Sequence, residues 1–424
     1  MTKNWYRLDN AAMIFPPISD KNSPNTFCLQ MTLDHKIDKD ILSKSVNEVI
    51  KSEDTFRVRL KKGLFWYYLE ENEKDPIVQE EPNDLMAFID TRFDDNYLFK
   101  VFYFENRISV VFFHVLTDGT GGLYFLKQIV YRYLLNKGNK IDTEGLVKPV
   151  EMPTLNSDSD DTFMSVSRNV KEKKIAEQKA FKVSGTPFKR FGTGLIFAEC
   201  ATDEVKVLAK KYDTTITGYL CAVYLYSIYK AYIEGKNHKN KTVAISIPVN
   251  IRKKHPSTTK RNFSLVVRIA YDFSNETSFE EVVKSSAVQL KEKLTTEQLD
   301  AQIKTNVGAE KNVLMKIVPR VVKNLALKIA YKIRGVKQET SNFSNLGEVE
   351  LPSSMAEKVK SVRFVLQASK TTEKNFSLIG YNKKLFFAFS RRHIETDAEK
   401  EFFKILSSNG VKVTVSSNNW EVAK

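Results

Sequence analysis

The sequence predicts a two-lobed α/β protein built on mixed sheets, and three observations carry that expectation. A chain of 424 residues is longer than one compact core of ordinary size accommodates. Runs of strand length recur along it between segments whose apolar residues return with helical period. The character then changes between residues 142 and 167, where MPTLNSDSDDTF is poor in hydrophobes and rich in Ser, Asp and Pro. That is the composition of a solvated crossover. The expected organisation is an N-terminal lobe over 1–150, a linker over 151–185 and a C-terminal lobe over 186–424.

In the first lobe FCLQMTL (27–33) reads as a strand. Asp38 is placed to cap a helix running to Ile50, with apolar positions at Ile41, Leu42, Val46, Val49 and Ile50. GLFWYYLE (63–70), aromatic and bounded by charge, reads as a strand. Residues 98–104 and 108–115 flank Glu105-Asn106-Arg107, a hairpin connection. A stripe at Leu123, Leu126, Ile129, Val130, Tyr133 and Leu134 marks a helix over 123–135. In the second lobe strands are expected at 195–200, 241–249, 263–271, 362–368, 375–381 and 385–391. Helices are expected there at 202–211, 215–233, 278–294 and 397–407. No internal repeat of solenoid period is visible.

Composition narrows the class. With 42% apolar and 28% charged residues, 16 glycines and 12 prolines, the chain is neither low-complexity nor broadly disordered. Cys28, Cys200 and Cys221 lie far apart and form no metal-type pair, so each reads as a small buried hydrophobe in a reducing compartment. The start MTKNWYRLDNAAMIFPP lacks the basic head and apolar run of a signal peptide. No apolar stretch reaches the roughly 18 uninterrupted residues of a spanning helix. The expected location is cytoplasmic. A net charge of +15 and a pI near 9.3 suit nucleic acid, anionic lipid or a phosphorylated ligand. The lysines are spread along the chain, without zinc-finger spacing, an RNP motif or a basic region before heptads. A phosphate-bearing cofactor is therefore preferred and no nucleic-acid partner is expected.

ISVVFFHV (108–115) is nearly all apolar and reads as a central strand covered on both faces. His114 sits where this apolar run gives way to LTDGTGG, and a helix begins after the glycines. An imidazole is thereby placed at a strand's carboxyl end beside a helix N-terminus, where ligands of α/β proteins bind. Histidine is the side chain best suited to accept a proton near neutral pH, which makes it a natural general base for a hydroxyl or amine. Asp118, among glycines that argue for a tight loop, reads as holding that loop's shape. Taken alone, the same pattern fits a satisfied core histidine before an ordinary glycine turn.

His114-Val-Leu-Thr-Asp118-Gly119 resembles the HxxxDG signature of the coenzyme-A-dependent acyltransferase superfamily. That superfamily includes chloramphenicol acetyltransferase, plant acyltransferases, peptide-synthetase condensation domains and alcohol acetyltransferases. Three further stretches resemble the alcohol acetyltransferases and their bacterial relatives: LDNAAMIF (8–15), IPVNIRKKHPSTTKRNF (247–263) and TSNFSNLGEVELP (340–352). The four occur in the expected order over most of the chain.

The resemblance implies two chloramphenicol-acetyltransferase-like lobes with a tunnel between them, entered from opposite faces by donor and acceptor. It implies that His114 deprotonates the acceptor, which attacks an acyl-CoA thioester directly, most simply acetyl-CoA. It pairs Asp118 with Arg252 as a bidentate-capable lock on the loop carrying His114, and gives Gly119 a close turn beneath the site. Condensation domains carry a second histidine before the catalytic one, and here that position is Phe113. The plant DFGWG motif is absent, with SNLG in its region. The expected substrates are acyl-CoA and a small-molecule alcohol or amine, with no permanently bound cofactor. A carrier-protein thioester as donor, and a catalytically silent binding relative, are the competing readings.

Other residues keep two readings each. Ser344 and Asn345 sit in an expected loop as oxyanion or pantetheine donors, or as an Asx turn before Gly347. Lys253, Lys254, Lys260 and Arg261 surround PVNIR and either meet the phosphates of coenzyme A or form a solvated face. His35, His238, His255 and His393 are expected at the surface, and no metal site is expected, since no HExxH-type spacing occurs. GxSxG and GxxxxGK[ST] are both absent, which removes the case for a serine hydrolase or a P-loop enzyme. Residues 312–336 interleave an apolar stripe with lysines and arginines, with a bend or restart at Pro319. Such a helix either packs its stripe on a lobe or makes a peripheral membrane contact.

Overall fold

The computed structural model of the chain describes residues 4–91, 97–149, 161–166, 178–190, 192–311, 317–332 and 336–420. The first strands and helices run β1 (Trp5–Arg7), α1 (Phe15–Ile18), β2 (Thr26–Leu33) and α2 (Lys39–Ser52). Asp38 caps α2 as its position predicts, accepting the backbone N–H groups of Asp40 and Ile41 at 3.0 and 3.1 Å. Next come β3 (Val58–Lys62), β4 (Tyr67–Glu71), β5 (Val78–Glu80), β6 (Phe99–Phe104), β7 (Arg107–Phe113) and α3 (Gly119–Asn136). The expected strand over 63–70 is shorter than predicted. Gly63 donates to the Trp66 carbonyl at 2.8 Å, so residues 63–66 turn between β3 and β4.

A short helix α4 (Thr162–Val166) lies in the crossover, with Phe163 buried in the second core. Then follow β8 (Gly194–Ala201), α5 (Thr202–Lys211), α6 (Ile216–Ile228), β9 (Thr242–Asn250) and β10 (Ser264–Asp272). Helix α6 is apolar all round and buried on nearly every face, which makes it the central helix of this lobe. Helix α7 (Phe279–Lys293) opens with a Ser278/Glu281 capping box, and α8 (Thr296–Lys311) and α9 (Arg320–Ala330) follow. The chain closes with β11 (Ser341–Glu348), β12 (Val359–Leu366), β13 (Lys374–Tyr381), β14 (Lys384–Arg391), α10 (Asp397–Ser408) and β15 (Thr414–Ser417).

A five-stranded mixed sheet, ordered β12-β2-β7-β6-β5, forms the first lobe with α2 and α3. A seven-stranded mixed sheet, ordered β10-β9-β11-β13-β14-β8-β15, forms the second with α5, α6, α7 and α10. A small antiparallel sheet β1-β4-β3 flanks the first. One strand crosses the expected boundary: β12, from the second half of the chain, pairs antiparallel with β2 and packs against β13 and β14. Sequence order thus overstates the separation at 151–185, because 186–424 supplies a strand to the first sheet.

Candidate active site

Buried residues fill β7 from Ile108 to Phe113, and the half-buried His114 follows directly. Its backbone N–H donates to the Asn25 carbonyl at 3.0 Å. Its ring stacks on Phe15 of α1 at 4.6 Å between centroids and meets Phe27 of β2 edge-on at 5.3 Å. Two aromatic walls therefore restrict the imidazole's rotation.

The polar partner comes from the other lobe. Nδ1 of His114 lies 2.9 Å from Oδ1 of Asn262, two residues before β10. The Asn262 amide is oriented by Asp9, whose Oδ2 accepts from its Nδ2 at 3.0 Å and from its backbone N–H at 3.3 Å. With Nδ2 committed to a carboxylate, Oδ1 faces the imidazole as an acceptor, and Nδ1 carries the ring hydrogen. The free lone pair is then on Nε2. Asp9 also accepts the Ala12 N–H at 2.7 Å. Burial pushes the Asp9 carboxyl up to about 6, against the lowering by Asn262 and Arg261. Burial likewise holds His114 below its ordinary range, opposed by the nearby Asp118 charge, so that the ring is neutral near pH 7.

Helix α3 begins at Gly119, not after the glycines. Asp118 is its N-cap, with Oδ1 accepting the Gly121 N–H at 3.0 Å, so the expected tight loop is the first helical turn. The glycines serve close approach instead. A Cβ at Gly121 would overlap the Lys260 carbonyl and the Thr117 hydroxyl, and one at Gly119 would meet Leu346 of β11. Gly119 thus makes no turn beneath the site, and SNLG abuts the start of α3.

Asp118 and Arg252 do pair, between the two lobes, but through one nitrogen: Nη1 reaches Oδ2 at 2.7 Å. Nη1 also reaches Oδ1 of Asn250 at 3.3 Å, while Nε donates to the Thr259 carbonyl at 3.1 Å and Nη2 to the Arg261 carbonyl at 2.6 Å. Oδ2 of Asp118 accepts in addition the Phe263 N–H at 2.9 Å. Arg252 therefore shapes the 250–263 loop and ties it to α3, while the anticipated bidentate fork is not formed. Asn250 adds a second tie, donating to the Thr120 hydroxyl at 3.1 Å.

Other expectations divide. Lys253 and Lys254 are exposed beside an open groove walled in part by Thr162, Ser165, Arg252, Ser257 and Thr258. Lys260 is half-buried, donates to the Thr258 carbonyl at 3.1 Å and holds its ammonium 4.3 Å from the Tyr124 ring centroid. Arg261 leaves this basic group altogether. It is 1% exposed, donates to the Leu116 carbonyl at 3.3 Å, and burial lowers it to about 10. Its aliphatic stem and its proximity to Asp9 draw it under the strand end, away from any surface ligand.

Ser344 and Asn345 lie in strand β11, not in a loop, because the segment pairs in parallel with β13. Asn345 donates from Nδ2 to the Thr217 hydroxyl at 2.9 Å, and its Oδ1 accepts the Gly347 N–H at 2.8 Å. Ser344 is buried. Two histidines expected at the surface are buried as well. His255 lies 2.8 Å from Asp300, and His393 lies 3.1 Å from Glu395, pairings across 45 and 2 residues respectively.

Asp9, Phe15 and Asn262 escaped sequence reading as site residues. Asp9 and Phe15 stand in LDNAAMIF and Asn262 in the 247–263 segment, so only their adjacency to the segments that resemble the superfamily could have drawn notice.

A model of the family described as alcohol acetyltransferase matches residues 162–380. The fold is similar to that of F. sporotrichioides TRI101 complexed with coenzyme A and T-2, at TM-score 0.60 and 10% identity over 97% of this chain and 99% of that one. It is similar to TRI3 trichothecene 15-O-acetyltransferase from Fusarium sporotrichioides, at TM-score 0.58 and 9% identity over 96% and 95%. The condensation domain from the Monacolin K polyketide synthase MokA gives TM-score 0.59 and 11% identity over 96% and 97%. No curated protein matches the sequence.

Proposed function

The chain belongs to the alcohol acetyltransferase family, and on that premise we propose that it moves an acetyl group from acetyl-CoA to an alcohol hydroxyl, with Nε2 of His114 as the general base. The observation that carries this reading is the Asp9–Asn262–His114 chain, which supports an imidazole with its hydrogen on Nδ1 and its lone pair on Nε2. Burial favours the neutral ring, the form a base requires.

In the proposed step Nε2 takes the acceptor's O–H proton as its oxygen attacks the thioester carbonyl carbon. The C=O pair moves onto oxygen, then returns as the C–S bond breaks. The departing thiolate of coenzyme A recovers the proton from Nε2–H, so no acyl-enzyme forms. Holding both substrates beside the imidazole replaces a bimolecular encounter. Ser344 and the Asn345 amide are proposed donors to the oxyanion or the pantetheine arm, with one Asn345 N–H already used by Thr217. Lys253, Lys254 and Lys260 are proposed to meet the phosphates of the donor. Asp118, Gly119 and Arg252 hold the segment that carries the base.

The test is thiol release from acetyl-CoA in the presence of a panel of alcohols and amines. His114→Ala is expected to lower the rate on the order of 10²–10⁴-fold while leaving the melting temperature nearly unchanged. A variant as fast as the wild type would overturn the assignment of the base. Release only from an acylated carrier protein would replace the proposed donor.

A further inference from the structure

Helix α9 is packed with its polar face inward. Arg320 donates to the Gly63 carbonyl at 2.9 Å and lies over the Tyr67 ring at 5.0 Å. Lys323 is buried, donates to the Phe65 carbonyl at 3.1 Å and sits 3.2 Å from the centroid of Trp66. Asn324 donates to the Tyr67 hydroxyl at 2.8 Å. The outward face is Val321, Val322, Leu325 and Ile329, all exposed, with Val321 at 71% and Leu325 at 61%. Ile317 extends this face at one end. Leu64 and Phe65, also exposed, continue it across the turn between β3 and β4, where the Arg320 N–H donates to the Leu64 carbonyl at 3.0 Å. Exposed apolar residues scattered singly need no explanation; a continuous patch of this kind does.

The charge around the patch says what covers it. Residues 311–338 contain no Asp or Glu, and Lys328 and Lys332 are exposed in that stretch. The whole chain carries +15, which sets two copies of it against each other. We propose that α9 and the 63–66 turn dock on an anionic lipid surface. The apolar side chains enter the boundary between headgroups and acyl chains, and the flanking lysines reach the lipid phosphates.

The position has a consequence for the site. Helix α9 packs against α1, whose Phe15 stacks on His114. Docking therefore brings the cover of the imidazole to the bilayer, where an alcohol dissolved in the lipid is concentrated. This last step rests on the acetyl-transfer reading; the docking does not.

Vesicle co-sedimentation tests the docking on the full chain. The protein should bind phosphatidylcholine vesicles containing phosphatidylglycerol, bind phosphatidylcholine alone weakly, and lose affinity with added salt. The triple variant Val321→Gln, Leu325→Gln, Ile329→Gln keeps good helix formers at exposed positions and should bind about tenfold or more weaker. Its thiol release with a water-soluble alcohol should match the wild type. The double variant Val207→Gln, Val288→Gln removes exposed apolar residues from α5 and α7 and should bind normally. The proposal is overturned by a wild type that stays in the supernatant, or by a triple variant that binds like it. Equal loss in the double variant overturns it too. So does a lipid-free dimer that the triple variant abolishes without any vesicle binding. If vesicles bind but no alcohol is acetylated, the acetyl-transfer reading fails and the docking stands.

Discussion

At the scale of single residues, the question is which imidazole nitrogen carries the hydrogen, and Asn262 answers it through one 2.9 Å contact. Asn262→Ala frees the ring, and misplacement of a base by about 1 Å lowers a rate on the order of a hundredfold. The expected outcome is that kcat falls by about that factor while the KM for acetyl-CoA barely moves. The pH profile distinguishes this from mere loosening. His114 has its pKa lowered, chiefly by burial, so the neutral ring prevails above that value, and the proposed base role predicts that kcat/KM declines as pH falls through it. The acid limb should therefore lie below the ordinary 6.5. The Asn262 hydrogen bond raises the value, so its removal should move the limb to still lower pH. An unmoved limb would mean that Asn262 does not act on the imidazole.

At the scale of elements, the first turn of α3 is where sequence reasoning went wrong in an informative way. Glycines in a row argue for a loop by their backbone freedom, yet GTGG is the Asp118-capped first turn of a helix, and its glycines leave room for neighbours that crowd it from outside. The two glycines should respond differently. A Cβ at Gly121 collides with the Lys260 backbone carbonyl, which cannot rotate away, whereas at Gly119 it meets only the Leu346 side chain. Gly121→Ala is expected to destabilise by about 1–3 kcal/mol, and Gly119→Ala by less, as read from denaturant midpoints. Equal effects would show that the joint between α3 and the 250–263 loop is softer than its geometry implies. Strand β11 was hidden for the complementary reason. Ser, Asn and Gly give SNFSNLGE the look of a loop, and its pairing with β13 lies about 30 residues away in sequence.

At the scale of the whole molecule, the lobes are joined through polar contacts that meet around one strand end. Asp118 and Arg252 come from different lobes, with side chains only 5% and 11% exposed. Removing one member leaves a charge buried without its partner. Arg252→Ala should therefore lower unfolding stability by roughly 3 kcal/mol, checked by denaturant titration, and reduce thiol release through displacement of the loop that carries Asn262. A variant with wild-type stability would show the pair to be dispensable. Strand β12, hydrogen-bonded to β2 in the first sheet and packed against β13 and β14 of the second, adds a further joint between the lobes.

His114 as the singular polar residue at the end of a buried strand, the caps of α2 and α7, and most of the strands follow from local pattern, because period and capping act within a few residues. The pairing of Asp118 with Arg252 was legible only through resemblance, since 134 residues separate them. What the tertiary structure alone decided is the environment of each group. It drew Arg261 inside, turned the apolar face of α9 outward, and set Asn262 and Asp9 behind the imidazole. Partners brought together from distant segments leave no periodic trace in the sequence, and only folding puts a hydrogen on Nδ1 and a lone pair on Nε2.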